Sequence, residues 1–144
     1  RDELPERASI ISLHCPLTPD SHHLIDAAML SRAQEGLLLV NTSRGALIDT
    51  VALIEALKAG RVGAVALDVY EQEGDLFFRN LSDTIITDDT FQRLLTFPNV
   101  LVTGHQAFLT REALDAIATT TIGNISTAQD GLAPTNAVTA AMLR

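Results

Sequence analysis

Several common kinds of chemistry are nearly missing from this chain. It carries one cysteine and no tryptophan in 144 residues. A single cysteine excludes an internal disulfide and fits a reducing compartment. Aromatic residues make up only 4% of the chain, too few for a stacking platform for bases or sugars. Positive charge is scarce as well: 10 Lys and Arg stand against 18 Asp and Glu, a net charge of −8. That balance argues against nucleic acid, whose phosphates need a basic face, and against anionic membrane surfaces. No apolar stretch approaches the ~20 residues of a membrane span. The opening Arg1-Asp2-Glu3-Leu4-Pro5-Glu6-Arg7 is charged and helical in flavour, unlike a signal peptide. No two glycines stand as Gly-x-Gly. The Gly-x-Gly-x-x-Gly loop that brings backbone amides to a pyrophosphate is therefore absent. Four scattered His and one Cys offer neither helical nor knuckle spacing, so no metal site is expected. The expectation is a cytoplasmic protein with no nucleic-acid and no membrane partner.

What is present reads as α/β. The length suits one compact domain, and 47% apolar residues can supply its core. Ser9 to Leu13 reads as a strand stopped by His14-Cys15-Pro16, with Pro16 and Pro19 forcing an extended turn. Asp2 is the expected cap of a short helix ending near Arg7, and Asp26 of a helix over 27–33 that Glu35-Gly36 closes. Asp49 or Thr50 caps a helix whose Val51, Leu53, Ile54 and Leu57 share a face and whose C′ residue is Gly60. The runs Leu37 to Val40, Val62 to Leu67 and Val100 to Val102 read as strands buried on both faces. Between Glu71 and Asn99 lies a long connection with a helix over 90–96, capped by Asp88 or Asp89. The last helix starts after Thr110 and carries an expected buried stripe of Leu114, Ile117, Ala118, Ile122 and Ile125.

Strands alternating with helices at this spacing mean right-handed βαβ units and a parallel sheet. Three polar clusters follow three of the strands: Asn41-Thr42-Ser43-Arg44-Gly45, Asp68-Val69-Tyr70-Glu71-Gln72-Glu73, and Thr103-Gly104-His105-Gln106. Ligands of open α/β sheets sit outside the carboxyl ends of the strands. One Arg, one or more carboxylates and one His should therefore converge on one sheet edge. Without a phosphate loop, the chain reads as the second half of a doubly wound parallel (Rossmann-type) sheet with a long C-terminal helix. The first half is expected upstream of Arg1. Residues 1–128 are the expected half-domain, and residues 129–144 a tail returning toward a substrate domain.

Four blocks carry a resemblance to a known family: Ser12-Leu13-His14-Cys15-Pro16-Leu17-Thr18, Val40-Asn41-Thr42-Ser43-Arg44-Gly45, Leu67-Asp68-Val69-Tyr70-Glu71-Gln72-Glu73, and Thr103-Gly104-His105-Gln106-Ala107-Phe108. In this order they resemble the D-isomer-specific 2-hydroxyacid dehydrogenases. The last block and Asp75-Leu76-Phe77-Phe78 are most similar to the fermentative D-lactate dehydrogenase branch. The resemblance implies an NAD-dependent oxidoreductase interconverting D-lactate and pyruvate, homo-oligomeric at full length, of which this chain alone is an inactive fragment. It implies three catalytic residues. Arg44 anchors the substrate carboxylate, which a planar guanidinium grips through two parallel hydrogen bonds. His105 is the proton donor and acceptor, a role suited to a side chain that titrates near neutrality. Glu73 is its carboxylate partner, since a carboxylate beside imidazole favours the charged form. Glu71, in the same turn, is left as a solvated loop charge, and His22 and His23 beside the Pro-rich turn as solvated histidines. Cofactor contacts are implied at Cys15, Pro16 and Ser21 toward the adenosine half. Thr42, Ser43, Arg44 and Asp68 are implied toward the nicotinamide end. Asp68 also reads as a helix cap or a partner to backbone amides. A non-catalytic dinucleotide sensor or corepressor on the same fold is the alternative.

Overall fold

A computed structural model describes residues 3–142. The chain divides into two compact units, Arg1–Ala107 and Phe108–Arg144, each described by itself below. The expected boundary at 128/129 falls inside the second unit.

The first unit is built on one sheet of four parallel strands in the order β1-β2-β3-β4: β1 Ile10–Leu13, β2 Leu37–Asn41, β3 Val62–Leu67 and β4 Val100–Val102. Sequential strands are neighbours, as successive βαβ units require. Helix α1 (Leu4–Arg7) precedes β1, and α2 (Ala27–Arg32), α3 (Thr50–Lys58) and α4 (Asp89–Leu95) connect successive strands. Caps set the starts of the longer ones. Asp26 accepts from Met29 N at 2.7 Å, Asp49 from Ala52 N at 3.0 Å and Asp88 from Phe91 N at 2.9 Å. Each side-chain oxygen satisfies an amide left unpaired by the first helical turn. The expected cap of α1, Asp2, lies outside the described residues.

Register aligns the side chains into rows. Ile11, Leu39, Val65 and Val100 form one row, and Leu13, Asn41, Leu67 and Val102 the next. These rows are the covered face, and the core includes Leu30, Leu37, Leu39, Leu47, Leu53 and Leu94, each at most 1% exposed. Full burial of such a side chain stabilises by about 1.5–3 kcal/mol. Leu47 and Leu94 thereby fix the segment after Arg44 and the helix α4.

The opposite face corrects the expectation of strands buried on both sides. Its row Ser12, Val40, Ala66, Leu101 and its row Ile10, Leu38, Ala64 are open or half-open, and Ile10 and Leu101 are each 62% exposed. In α3 the inward residues are Leu53, Ile54, Ala56 and Leu57, while Val51 lies exposed. At 100° per residue, Val51 lies about 140° around the helix from the stripe centred on Leu53 and Leu57, away from the core.

The second unit holds α5, Arg111–Gln129, capped by Thr110 through its hydroxyl to Ala113 N at 3.2 Å. Its expected buried stripe is a correction too: Leu114, Ile117, Ala118, Ile122 and Ile125 are all exposed. Among the described residues this unit has a single α-helix, hydrogen-bonded turns after it and one 3₁₀ turn at Ala140–Met142. It contains no second layer to cover the stripe. No helix is long and apolar enough to cross a membrane among the described residues.

Candidate active site

Strands β2, β3 and β4 each hand a polar cluster to the same edge, because all run parallel. Asn41, Leu67 and Val102 share a row at the carboxyl ends. Arg44 follows the first by three residues, Glu73 the second by six and His105 the third by three.

The loop after β2 is shaped by Asn41, which is fully buried. Its Nδ2 donates to Arg44 O at 2.9 Å, and its Oδ1 accepts from Ser43 N at 3.1 Å. Ser43 Oγ donates to Cys15 O at 2.6 Å, tying the ends of β1 and β2 together. Arg44 is exposed, and its Nη1 rests on Ser43 O at 2.7 Å. Gly45 is required for a steric reason. A Cβ there would lie 2.0 Å from the carbonyl carbon of Tyr70 and 2.4 Å from Glu71 N. Only the bare glycine backbone lets the Arg44 loop seat against the turn that leads to Glu73.

That turn holds Glu73 from two sides. Tyr70 N donates to Glu73 Oε2 at 2.9 Å, and His105 Nδ1 meets Glu73 Oε1 at 2.9 Å. The Glu73 side chain is only 18% exposed. An ionised carboxylate can only accept, so Nδ1 carries the hydrogen and Nε2 is the ring nitrogen left to face a ligand. Phe78, largely exposed, sets its ring 5.8 Å from the imidazole. The buried Tyr70 hydroxyl donates to Asp88 at 2.8 Å, joining this turn to the start of α4. Burial, then the bond to Asp88, pushes the Tyr70 hydroxyl well above its ordinary value of 10.0, so it stays a donor.

Asp68 organises the loop after β4. Its Oδ1 accepts from Gln106 N at 2.9 Å and from the Thr103 hydroxyl, and its Oδ2 from Ala107 N at 2.8 Å. His105 N donates to the Asp68 carbonyl at 2.6 Å. Burial alone would raise the Asp68 carboxyl. The bonds from Thr103, Ala107 and Gln106 and the charge of His105 outweigh it and hold the group below its ordinary 3.8. Of its two readings from sequence, the partner of backbone amides describes this geometry. Thr42 borders a depression of about 90 Å³ on the open sheet face together with Asp68, Leu101 and Thr103.

Cys15 and Ser21 line a groove of about 600 Å³ beside the edge strand β1, with Ser12, Leu13 and Met29. Ser21 is buried; its Oγ donates to Pro16 O at 2.7 Å and accepts from Thr18 N at 2.7 Å, so it also closes the Pro-rich turn.

Two expectations need correction. Glu71 is not a solvated charge. It accepts from Thr50 Oγ1 at 3.1 Å and pairs with His23 Nε2 at 2.7 Å, with 27% of its side chain exposed. His23 is therefore not solvated either, whereas His22 is exposed. The sequence spacing hid both, because the pairing spans 48 positions. Asn41, Tyr70 and Thr103 were missed as site-forming residues. An Asn ending an apolar strand is a turn signal that points to the first of them.

Comparison with known proteins places this geometry in a family. The chain is 58% identical over 130 residues to a 2-hydroxyacid dehydrogenase homolog of Zymomonas mobilis, covering 90% of this chain and 39% of that protein. It is 53% identical over 124 residues to a D-lactate dehydrogenase of Escherichia coli, covering 86% and 38% respectively. The crystal structure of a D-lactate dehydrogenase from Treponema pallidum superposes with a TM-score of 0.88 at 36% identity, over 96% of this chain and 42% of that one. The chain thus spans about 39% of the length of the first of these relatives. The family model described as D-isomer specific 2-hydroxyacid dehydrogenase, NAD binding domain, matches residues 1–107. The chain belongs to the D-isomer specific 2-hydroxyacid dehydrogenases, and its four-stranded parallel sheet is part of their Rossmann-type NAD binding domain.

Proposed function

We propose that this chain supplies the proton-transfer and substrate-anchoring side of an NAD-dependent enzyme interconverting pyruvate and D-lactate. The observation that carries the reading is the 2.9 Å contact between His105 Nδ1 and Glu73 Oε1, on the sheet edge that also bears Arg44. The strand-end residues suit the border of a dinucleotide. A roomy groove meets Cys15 and Ser21, Pro16 opens the turn beside it, and Thr42, Ser43 and Asp68 stand at the neighbouring strand ends. The pyrophosphate loop is not among them, since the chain has no Gly-x-Gly. These strand ends would hold NADH, which would supply the hydride for the 2-oxo carbon.

The chain's own residues do the rest. Arg44 grips the substrate carboxylate through two parallel hydrogen bonds and so orients the carbonyl. His105 gives a proton from Nε2 to the carbonyl oxygen during reduction and takes it back from the hydroxyl during oxidation. Glu73, fixed by Tyr70 N, holds the ring and balances the imidazolium. Asp68 holds the His105 loop through the amides of Gln106 and Ala107.

The test is steady-state pyruvate reduction by the whole subunit carrying this sequence. His105→Ala should lower kcat by roughly 10²–10⁴-fold with little change in NADH affinity. Arg44→Lys keeps the charge but loses the planar fork, so it should raise KM for pyruvate more than it weakens NADH binding. Unchanged turnover in His105→Ala would sink the reading. NADH binding without turnover in the unmodified protein would favour the sensor or corepressor.

A further inference from the structure

A second cluster lies outside the His105 site. The ligating atoms of His22, His23 and Glu71 all lie within 4.8 Å of one another. Neighbouring residues on an extended chain point to opposite sides. Here they do not, because His23 adopts the left-handed region at φ 51. Its amide donates to Ala46 O at 2.8 Å and the His22 amide to Thr18 O at 2.9 Å, which fixes that conformation. The two imidazoles consequently stand side by side, ring centroids 3.9 Å apart and tilted by 30°. A bulky residue at positive φ is unusual and signals a local constraint that surrounding structure maintains.

The third group is oriented as well. Thr50 Oγ1 donates to Glu71 Oε2 at 3.1 Å, leaving Oε1 toward His23 Nε2 at 2.7 Å. An outer hydrogen bond that aims a carboxylate is the arrangement that supports metal ligation. The donor set, two imidazoles and one carboxylate, suits a late first-row divalent ion, zinc above all, with a water in the fourth position. Ligand atoms at about 2.1 Å from a tetrahedral ion stand about 3.4 Å apart. His23 and Glu71 must separate by about 0.7 Å to reach that spacing, and His22 is exposed.

We propose that His22, His23 and Glu71 form a zinc-class divalent metal site that cross-links the turn before α2 to the loop after β3. It rests on none of the catalytic roles assigned above. A bound ion would pin Glu71 and stiffen the turn carrying Glu73 two residues later.

The test is calorimetric titration of Zn²⁺ alone into the whole subunit carrying this sequence, with thermal unfolding followed in parallel. The expected result is one saturable equivalent per chain and a rise in unfolding midpoint with zinc, as ligand linkage requires. His22→Gln, at an exposed position that leaves the fold intact, and Glu71→Gln should each weaken binding by more than about tenfold, since even an outer-shell loss costs that much. Thr50→Val should weaken it less. His14→Gln should leave it unchanged. The cobalt form should show no thiolate charge-transfer band, because Cys15 is not a ligand. No saturable binding, binding undiminished in His22→Gln and Glu71→Gln, or binding lost in Cys15→Ser would each overturn the site.

Discussion

His105 occupies a backbone conformation that histidine seldom adopts, with φ at 55. It is held there because Asp68 accepts from Thr103, Gln106 and Ala107 on its carboxylate and from His105 N on its carbonyl. The site therefore depends on a residue whose side chain need not touch substrate. Asp68→Asn replaces one acceptor with an NH₂ group facing an amide. The expected cost is about 1–3 kcal/mol of stability, from buried groups left unpaired, read as a lower midpoint of chemical unfolding. Turnover should fall as well, as the His105 loop loosens. The carboxyl of Asp68 lies below its ordinary 3.8 in the folded chain. Its contribution is thus present above that pH and is lost as pH falls through the lower folded value. The unmodified protein should lose stability on acidification below pH 3.8 more steeply than Asp68→Asn; equal acid profiles would contradict this. In the sequence, Arg44, Glu73 and His105 were visible as polar residues past apolar runs and through the family's blocks. Asp68 was readable as a partner of backbone amides, but which amides it clamps and the His23–Glu71 pair were not, because each is made by segments far apart in the chain that only tertiary packing joins.

Strands and caps were readable because their signals are local. Asp26, Asp49, Asp88 and Thr110 cap the four helices they precede, since an acceptor side chain three residues before an unpaired amide needs no distant partner. Which side of an element is covered is different, as Val51 and the α5 stripe show. An apolar stripe states that a helix can bury a face; only a neighbouring layer makes it do so. One element that abuts the site directly is the 3₁₀ turn at Gly45–Leu47, anchored by the fully buried Leu47 and pressed on the Tyr70–Glu71 peptide. Gly45→Ala places a methyl 2.0 Å from the Tyr70 carbonyl carbon, so backbone must move. Overpacking against backbone has no rotamer escape. The loss should reach the exceptional range above about 4 kcal/mol. An unfolding midpoint close to the parent's would show that the two loops do not abut in this way.

At the scale of the whole molecule, the first unit covers one face of its sheet and leaves the other open. Among the described residues strand β1 pairs only with β2, and Ile10 and Leu101 remain largely exposed. Open apolar rows beside an unpaired strand edge are a template for association. Residues 1–144 expressed alone should therefore self-associate in light scattering, bind NADH weakly and reduce no pyruvate. A monodisperse monomer with tight NADH binding would overturn that expectation. The central claim, however, is that His105 and Glu73 act as one proton-transferring unit. A double-mutant cycle on pyruvate reduction by the whole subunit tests it most directly, using His105→Ala, Glu73→Gln and the pair together. Groups that act as a unit are non-additive, with coupling of about 0.5–3 kcal/mol. The predicted result is that the double variant falls no further than His105→Ala alone; losses that simply multiply would contradict the pairing.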